Sequence, residues 1–373
     1  MKQTQAFLST YTADVSGVCS ALFELGGMTV MHDASGCNST YNTHDEPRWY
    51  DMDSLVYISG LSELEAVMGD DEKLISDVSD AARQLHPRFI ALAGTPIPMI
   101  TGCDLPAIAR EVEGRTNIPS FAVPSNGIGT YVAGAGQALR LYAERFITSR
   151  PEKRKNAVNI LGATPLDFSV NGCVQSMARR LEEADFTLQS VFAMSSSIDA
   201  IDKAGAAEAN LVISSVGLPA AKYLQAQFGT PYVIGAPFGD FFSPYVFDAL
   251  RASIRTGENT RVLGTCSPDA PDTVIVGESV TAKSLAAALA VGYGIGARVI
   301  CPVEAPGGVL GACDLQLEDE EEIEEALRGA KRVIADPLYR PIVPKTSEFY
   351  ALPHEAFSGR IYRKQIPNLA ERV

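Results

Sequence analysis

Short apolar runs rich in β-branched residues alternate with amphipathic helical stretches along the whole chain, and turn residues separate them. This alternation predicts an α/β protein built on parallel sheets. In the first third, residues 55–59, 89–93 and 121–123 read as strands. Ser62 and Glu65 have the spacing of a capping box. From Asp70 onward, Leu74, Ile75, Val78, Ala81, Ala82 and Leu85 recur at helical spacing, so this helix covers one face of a sheet. Asp104 caps a short helix, and residues 131–147 read as a long one. A polar, proline-containing break at residues 149–155 marks a first domain boundary. The middle third repeats the theme, with strands at residues 157–161, 187–192, 211–213 and 232–234 and a helix at 219–228 that ends on Gly229. A second break covers residues 255–261. Beyond it, strands at 273–276, 298–303 and 332–334 alternate with helices through 285–291 and 320–327. The expected architecture is three Rossmann-like α/β domains, at residues 1–150, 151–258 and 259–373, around a central cleft. Each is a small, mostly parallel sheet flanked by helices. Ligands of such sheets sit beyond the carboxyl ends of the strands, so the loops that follow strands hold the candidate chemistry.

The length of 373 residues agrees with two or three domains. A hydrophobic content of 46% against 20% charged residues is the balance of a globular protein. No apolar run reaches the roughly 18 residues that span a bilayer. The N-terminal segment lacks a basic start followed by an apolar stretch. A cytoplasmic location with no membrane partner is therefore expected. Lys and Arg number 31 against 45 Asp and Glu, a net charge of -14, which repels phosphate backbones and excludes nucleic acid as a partner. Part of this excess, at residues 318–325, reads as the solvated start of a helix.

Seven cysteines, an odd number scattered over a long chain, argue against a disulfide framework. Four histidines are too few for a His-rich zinc site. No phosphate-binding P-loop, CxxC pair, HExxH helix or nucleophile elbow is present, so the chain is not expected to hydrolyse ATP itself. The segment His32-Asp33-Ala34-Ser35-Gly36-Cys37 follows an apolar stretch and forms a turn of small residues. Backbone amides in such a turn favour thiolate, the form that binds iron or zinc, although a buried thiol serves equally as a small apolar group. Asn126-Gly127-Ile128-Gly129 reads either as a strand-to-helix turn or as a cradle for an anion. Gly307 and Gly308 directly follow a strand and form a candidate cofactor-side loop.

Residues 16–37 (SGVCSALFELGGMTVMHDASGC) resemble the N-terminal cluster-binding region of the nitrogenase component 1 type oxidoreductases, whose His-Gly-Pro-x-Gly-Cys motif supplies a cluster cysteine. His32, Gly36 and Cys37 are kept, while Asp33 and Ala34 replace Gly and Pro. The likeness continues in order through residues 57–74, AGTPIPMITGCD at 93–104, VPSNGIGTYVAG at 123–134, a segment ending in FGTPY at 210–232, and IVGESVTAKSLA at 275–286. The resemblance implies paired subunits, either a second nitrogenase-like chain or a homodimer partner, with an iron-sulfur cluster of the 4Fe-4S type shared between them. It further implies an ATP-dependent iron protein that delivers electrons to a second site, which holds a metal cofactor or a tetrapyrrole. Cys37, Cys19 and Cys103 are then the candidate metal ligands, and His32, Gly36, Ser214, Gly307, Gly308 and His354 the candidate cofactor-binding residues.

The departures from the family pattern are specific. Thr95 stands where the family has a cysteine before proline, and Tyr11 or Thr12 falls where its first ligand belongs. Ser214 or Ser215 replaces the middle-domain cysteine that holds the nitrogenase cofactor. Loss of these soft ligands argues against a cofactor of that type. The expected function is an oxidoreductase subunit that passes electrons to a ligand in the interdomain cleft. The alternatives are a non-catalytic scaffold for a metal cofactor or tetrapyrrole and, on fold alone, an enzyme using a nucleotide or sugar.

Overall fold

A computed structural model describes residues 6–9, 11–34, 46–264 and 272–373. Among them are three parallel sheets. The first comprises β1 (Met28–His32), β2 (Leu55–Ile58), β3 (Ile90–Gly94) and β4 (Ser120–Val123), in the order β2-β1-β3-β4. The second comprises β5 (Ala157–Leu161), β6 (Thr187–Val191), β7 (Ala209–Val212), β8 (Tyr232–Ile234) and β9 (Thr260–Arg261), in the order β6-β5-β7-β8-β9. The third comprises β10 (Thr273–Val276), β11 (Ala297–Cys301), β12 (Leu315–Gln316), β13 (Arg332–Ala335) and β14 (Glu348–Ala351), in the order β12-β11-β10-β13-β14. The central strands β3, β5 and β10 are buried along their whole length and mostly apolar, as expected of parallel strands covered on both faces, with Asn159 the polar exception inside β5. Alternate residues of the first sheet serve different cores. Met28, Val30, Ile90 and Leu92 face one, whereas Met31, Ala91 and Ala93 face another that continues through Leu161 and Val212 to Val276 and Ile300. One apolar core therefore joins all three sheets.

Several elements escape the sequence pattern for identifiable reasons. All nine residues of the helix Asp14–Leu22 are buried, so it has no polar face and no amphipathic period. The 18-residue helix Gly239–Thr256 contains Pro244, which reads as a breaker. The helix capped by Asp104, expected to be short, runs 12 residues from Leu105 to Thr116. The acidic run does begin a helix, Glu320–Leu327, with Asp319 as its cap. Glu320 is nevertheless buried rather than solvated. Its carboxylate accepts the backbone N–H groups of Ala6 (3.0 Å), Phe7 (2.9 Å) and Leu8 (2.7 Å), and these bonds hold the N-terminal arm against the last sheet. They outweigh burial and keep the Glu320 carboxyl below its usual range. Cys313 is disulfide-bonded, although the scattered cysteines predicted no disulfides. No helix is long and apolar enough to cross a membrane among the described residues.

The helices Asp14–Leu22 and Tyr131–Phe146 cross at backbone contact. A Cβ at Gly134 would stand 1.9 Å from the Asp14 carbonyl oxygen, and one at Gly17 would stand 2.4 Å from that of Tyr131. Asp14 also decides the Asn126–Gly129 question. Its carboxylate accepts the N–H groups of Asn126 (2.9 Å) and Gly127 (2.8 Å), so the turn cradles an anion that belongs to the protein itself.

Three outcomes are expected. Gly134→Ala should lower stability by about 3 kcal/mol or more, because backbone stands where the methyl would go. Gly114→Ala, at an exposed helical position with open space around it, should raise stability by about 0.5 kcal/mol or more. Equal melting temperatures for the two variants would refute the crossing. Glu320→Ala should cost about 1 to 2 kcal/mol in chemical denaturation and speed hydrogen exchange at the Leu8 amide about tenfold or more. Unchanged exchange would show that the arm is held by other contacts.

Candidate functional site

β5 is followed by Gly162, whose φ of 90° turns the chain beneath Ser214 and Gly217; a Cβ there would lie 2.9 Å from the Ser214 carbonyl oxygen. Thr164 then caps a one-turn helix, Pro165–Phe168, with proline at its start. This turn places Asp167 at a junction of three domains, its side chain without exposed surface. From the first domain, the Tyr131 hydroxyl donates to Oδ1 at 2.5 Å. From the middle domain, Ser214 Oγ and Thr164 Oγ1 donate to Oδ2 at 2.6 and 3.2 Å. From the last domain, His354 Nε2 stands 3.5 Å from Oδ1. Burial, then the charges of Asp167 and Glu278, push the Tyr131 hydroxyl well above its usual range, so it remains a donor.

His354 precedes the short helix Glu355–Ser358. Its backbone N–H donates to Asp336 Oδ2 at 2.7 Å, and its ring stacks on Phe357 at a centroid distance of 4.4 Å. Nδ1 accepts the Ala356 N–H at 3.3 Å, so in the neutral ring the proton resides on Nε2. That buried nitrogen has no hydrogen-bond partner among the described residues. Asp167 lies nearest, at a separation longer than a well-formed bond.

Asp167 and His354 line a cavity of about 50 Å³ between the middle and last domains. Phe168, Phe238, Ile275, Leu285, Leu352 and Phe357 contribute apolar wall, and Cys173 and Thr281 add polar atoms. The Cys173 thiol is pushed up to about 11 by burial, which keeps it protonated at neutral pH.

Two residues expected from the sequence, Ser214 and His354, are thus brought together on Asp167. The others lie elsewhere. Gly36 and Cys37 fall outside the described residues. Cys19 is wholly buried in the core shared by the three sheets, where burial raises its thiol far above the usual range, so it packs as an apolar group. Cys103 packs on the other face of the first sheet, donates to Asp71 Oδ1 at 3.7 Å and is pushed up to about 12 by burial and that carboxylate. It shares a small cleft of the first domain with His32, whose Nδ1 is 2.9 Å from Ser59 Oγ and whose basicity burial lowers. Thr95, in the expected cysteine position, donates to the His32 carbonyl at 2.8 Å. The Gly307 and Gly308 loop lies away from the cavity, and the Gly308 carbonyl accepts from Arg261 at 2.9 Å. Among the described residues no three His, Cys, Asp or Glu side chains converge as a metal site.

Asp167, Tyr131 and Cys173 were not singled out by sequence reasoning. A signal for Asp167 existed, since Thr164-Pro165 directly follows the carboxyl end of β5, where ligands of parallel sheets sit. Nothing local marks Tyr131 or Cys173.

Comparison with known proteins places these features in a family context. A nitrogenase iron-molybdenum cofactor biosynthesis protein NifE from Methanosarcina barkeri is 28% identical over 196 residues, covering 49% of this chain and 42% of that protein. One of the subunits of the light-independent protochlorophyllide reductase of Nostoc punctiforme is 26% identical over 181 residues, covering 46% of this chain and 36% of that protein. The matched stretches thus span less than half of either relative. A solved structure titled nitrogenase Cp1 at pH 6.5 superposes with a TM-score of 0.69 at 15% identity, over 99% of this chain and 91% of that one, and shares the fold. Residues 16–253, well over half of the sequence, match the family described as nitrogenase component 1 type oxidoreductase, and the chain therefore belongs to that family.

Proposed function

We propose that this chain is the ligand-holding subunit of a nitrogenase-like oxidoreductase, with its ligand in the cavity beside Asp167 and His354. Electrons come from an ATP-dependent iron protein acting on a complex with a second component 1 type subunit. The observation that carries the reading is the buried Nε2 of His354, which has no hydrogen-bond partner among the described residues, on a residue that lines an otherwise apolar cavity. A buried N–H without an acceptor costs about 1 to 3 kcal/mol, which a ligand acceptor atom recovers on binding. Donors aimed at a site where negative charge develops are also the usual means of stabilising a reduced or anionic intermediate. Asp167 Oδ1 stands 3.5 Å from Nε2, longer than a well-formed hydrogen bond. It serves as a fixed charge that orients the ring.

The described residues do not fit an iron-sulfur cluster. Cys19 and Cys103 lie on opposite faces of the first sheet, each protonated by its surroundings, and Thr95 is engaged by the His32 carbonyl. On the redox reading, cluster ligands come chiefly from the partner subunit. The same observation favours a second reading, a carrier or scaffold that holds a cofactor without turning it over.

Anaerobic copurification with a second component 1 chain, followed by iron and sulfide analysis and low-temperature EPR, separates the two. Stoichiometric iron with a reducible EPR signal is expected for the redox subunit. An iron-free complex under conditions that load other members of the family would leave only the carrier. The role of His354 has its own check. In ¹⁵N spectra of histidine-labelled protein, the resonances lost in His354→Gln should report a ring that carries its proton on Nε2. A ring protonated at Nδ1 would remove the donor on which the reading depends.

A further inference from the structure

Residues 93–104 and the start of the segment at 123–134 take no part in the Asp167 site, yet the fold brings them together. β3 and β4 are parallel neighbours, so both segments leave the first sheet at the carboxyl ends of adjacent strands. Ser125 Oγ donates to the Gly94 carbonyl at 3.0 Å. A Cβ at Gly94 would stand 2.6 Å from the Ser125 carbonyl oxygen, so the glycine lets the two strand ends close on each other. Beside them opens a groove of about 560 Å³, which is in the range of pockets that hold a small organic molecule. It lies where ligands of parallel sheets sit. It shares no lining residue with the cavity beside Asp167.

One wall is apolar, with Met99, Leu105 and Pro106 following β3 and Val123 ending β4. The other is the helix Tyr131–Phe146, where Gln137 and Arg140 stand three residues apart and so share a face. Among the described residues that line the groove, Arg140 alone is charged. Its Nε donates to Glu144 Oε1 at 2.7 Å, which occupies one edge of the guanidinium and leaves the Nη groups for a ligand. The side chain is 46% exposed, so these donors are reachable. Cys103 also lines the groove, but its thiol is pushed up to about 12 by burial and by Asp71, to which it donates, and it stays protonated. The lining thus offers groups that bind and no activated nucleophile. We propose that this groove is a second ligand site, for a small monocarboxylic acid whose carboxylate pairs with the Nη groups of Arg140 and whose compact apolar body packs against Met99, Leu105 and Val123. The planar guanidinium matches the two oxygens of a carboxylate. Glu144 beside it disfavours a dianion. The chain as a whole carries a charge of -14, whose field repels acids, so a preference for an acid over its amide reports Arg140.

Calorimetric titration of the full chain with phenylacetate, phenylacetamide and acetate tests this. Phenylacetate should bind about tenfold more tightly than its amide, the advantage of a charge-assisted bond to a half-exposed guanidinium. It should also bind about tenfold more tightly than acetate, which lacks the ring. Arg140→Gln, at an exposed helical position, should abolish the advantage of the acid over the amide. Glu144→Gln, which removes the competing carboxylate, should strengthen phenylacetate binding about threefold and leave phenylacetamide unchanged. In ¹³C spectra of methyl-labelled methionine, the resonance lost in Met99→Leu should shift when phenylacetate is added to the unsubstituted protein. Failure of phenylacetate to bind, a preference for the acid that survives Arg140→Gln, or a Met99 resonance that stays in place overturns the proposal. Phenylacetate binding no tighter than that of phenylacetamide or of acetate overturns it as well.

Discussion

A buried carboxylate is tolerable only where hydrogen bonds replace the water it has lost, and Asp167 meets this requirement by drawing donors from separate domains. Tyr131 reaches it from a helix of the first domain, Ser214 and Thr164 from loops of the middle domain, and His354 approaches it from the last. The hydrogen bonds are therefore conditional on the first two sheets being packed together, with His354 beside the third approaching without a bond. Removal of one donor would leave the charge under-satisfied in the interior, whereas the three together fix the relative position of the first two sheets beside the cavity. The same residue thus links the integrity of the fold to the chemistry of the site.

Other buried charges serve assembly by the same logic. Asp14 accepts the amides of the turn before the helix Tyr131–Phe146, which seats the base of Tyr131. Glu320 gathers three amides of the N-terminal arm. Further along that arm, the Thr12 N–H donates to the Ala356 carbonyl at 2.9 Å and the Tyr11 ring lies 4.8 Å from that of Phe357. The arm therefore braces the back of the segment whose front carries His354. In each case a carboxylate is held by backbone amides, so its position follows from chain geometry more than from side-chain partners.

The first domain contrasts with this arrangement. Its chemistry-bearing residues, Cys19, Cys103, His32 and Thr95, are each engaged separately, and the sheet itself divides the two cysteines. A parallel strand sends alternate side chains to opposite faces, so residues close in sequence to one strand end can be directed to different cores. Sequence motifs that recur in order along a family do not record this division.

The alternation of apolar runs and amphipathic stretches was enough to determine the α/β class and most strand positions, because burial on both faces of a parallel sheet leaves a clear pattern in the chain, while the family was legible only through the ordered motifs that begin at residues 16–37. That pattern was silent where burial is complete, as in the helix Asp14–Leu22, and where a proline interrupts a regular element, as at Pro244. Ser214 and His354 were legible as candidates through their place in the family order. Their meeting on Asp167 was not, since residues in three different domains become neighbours only when the sheets pack, and no local spacing encodes that distance. Likewise, the character of Cys19 as a core group and of Glu320 as an anchor depends on what surrounds them. Residue identity supplied a thiol and a carboxylate, and only tertiary burial decided what each does.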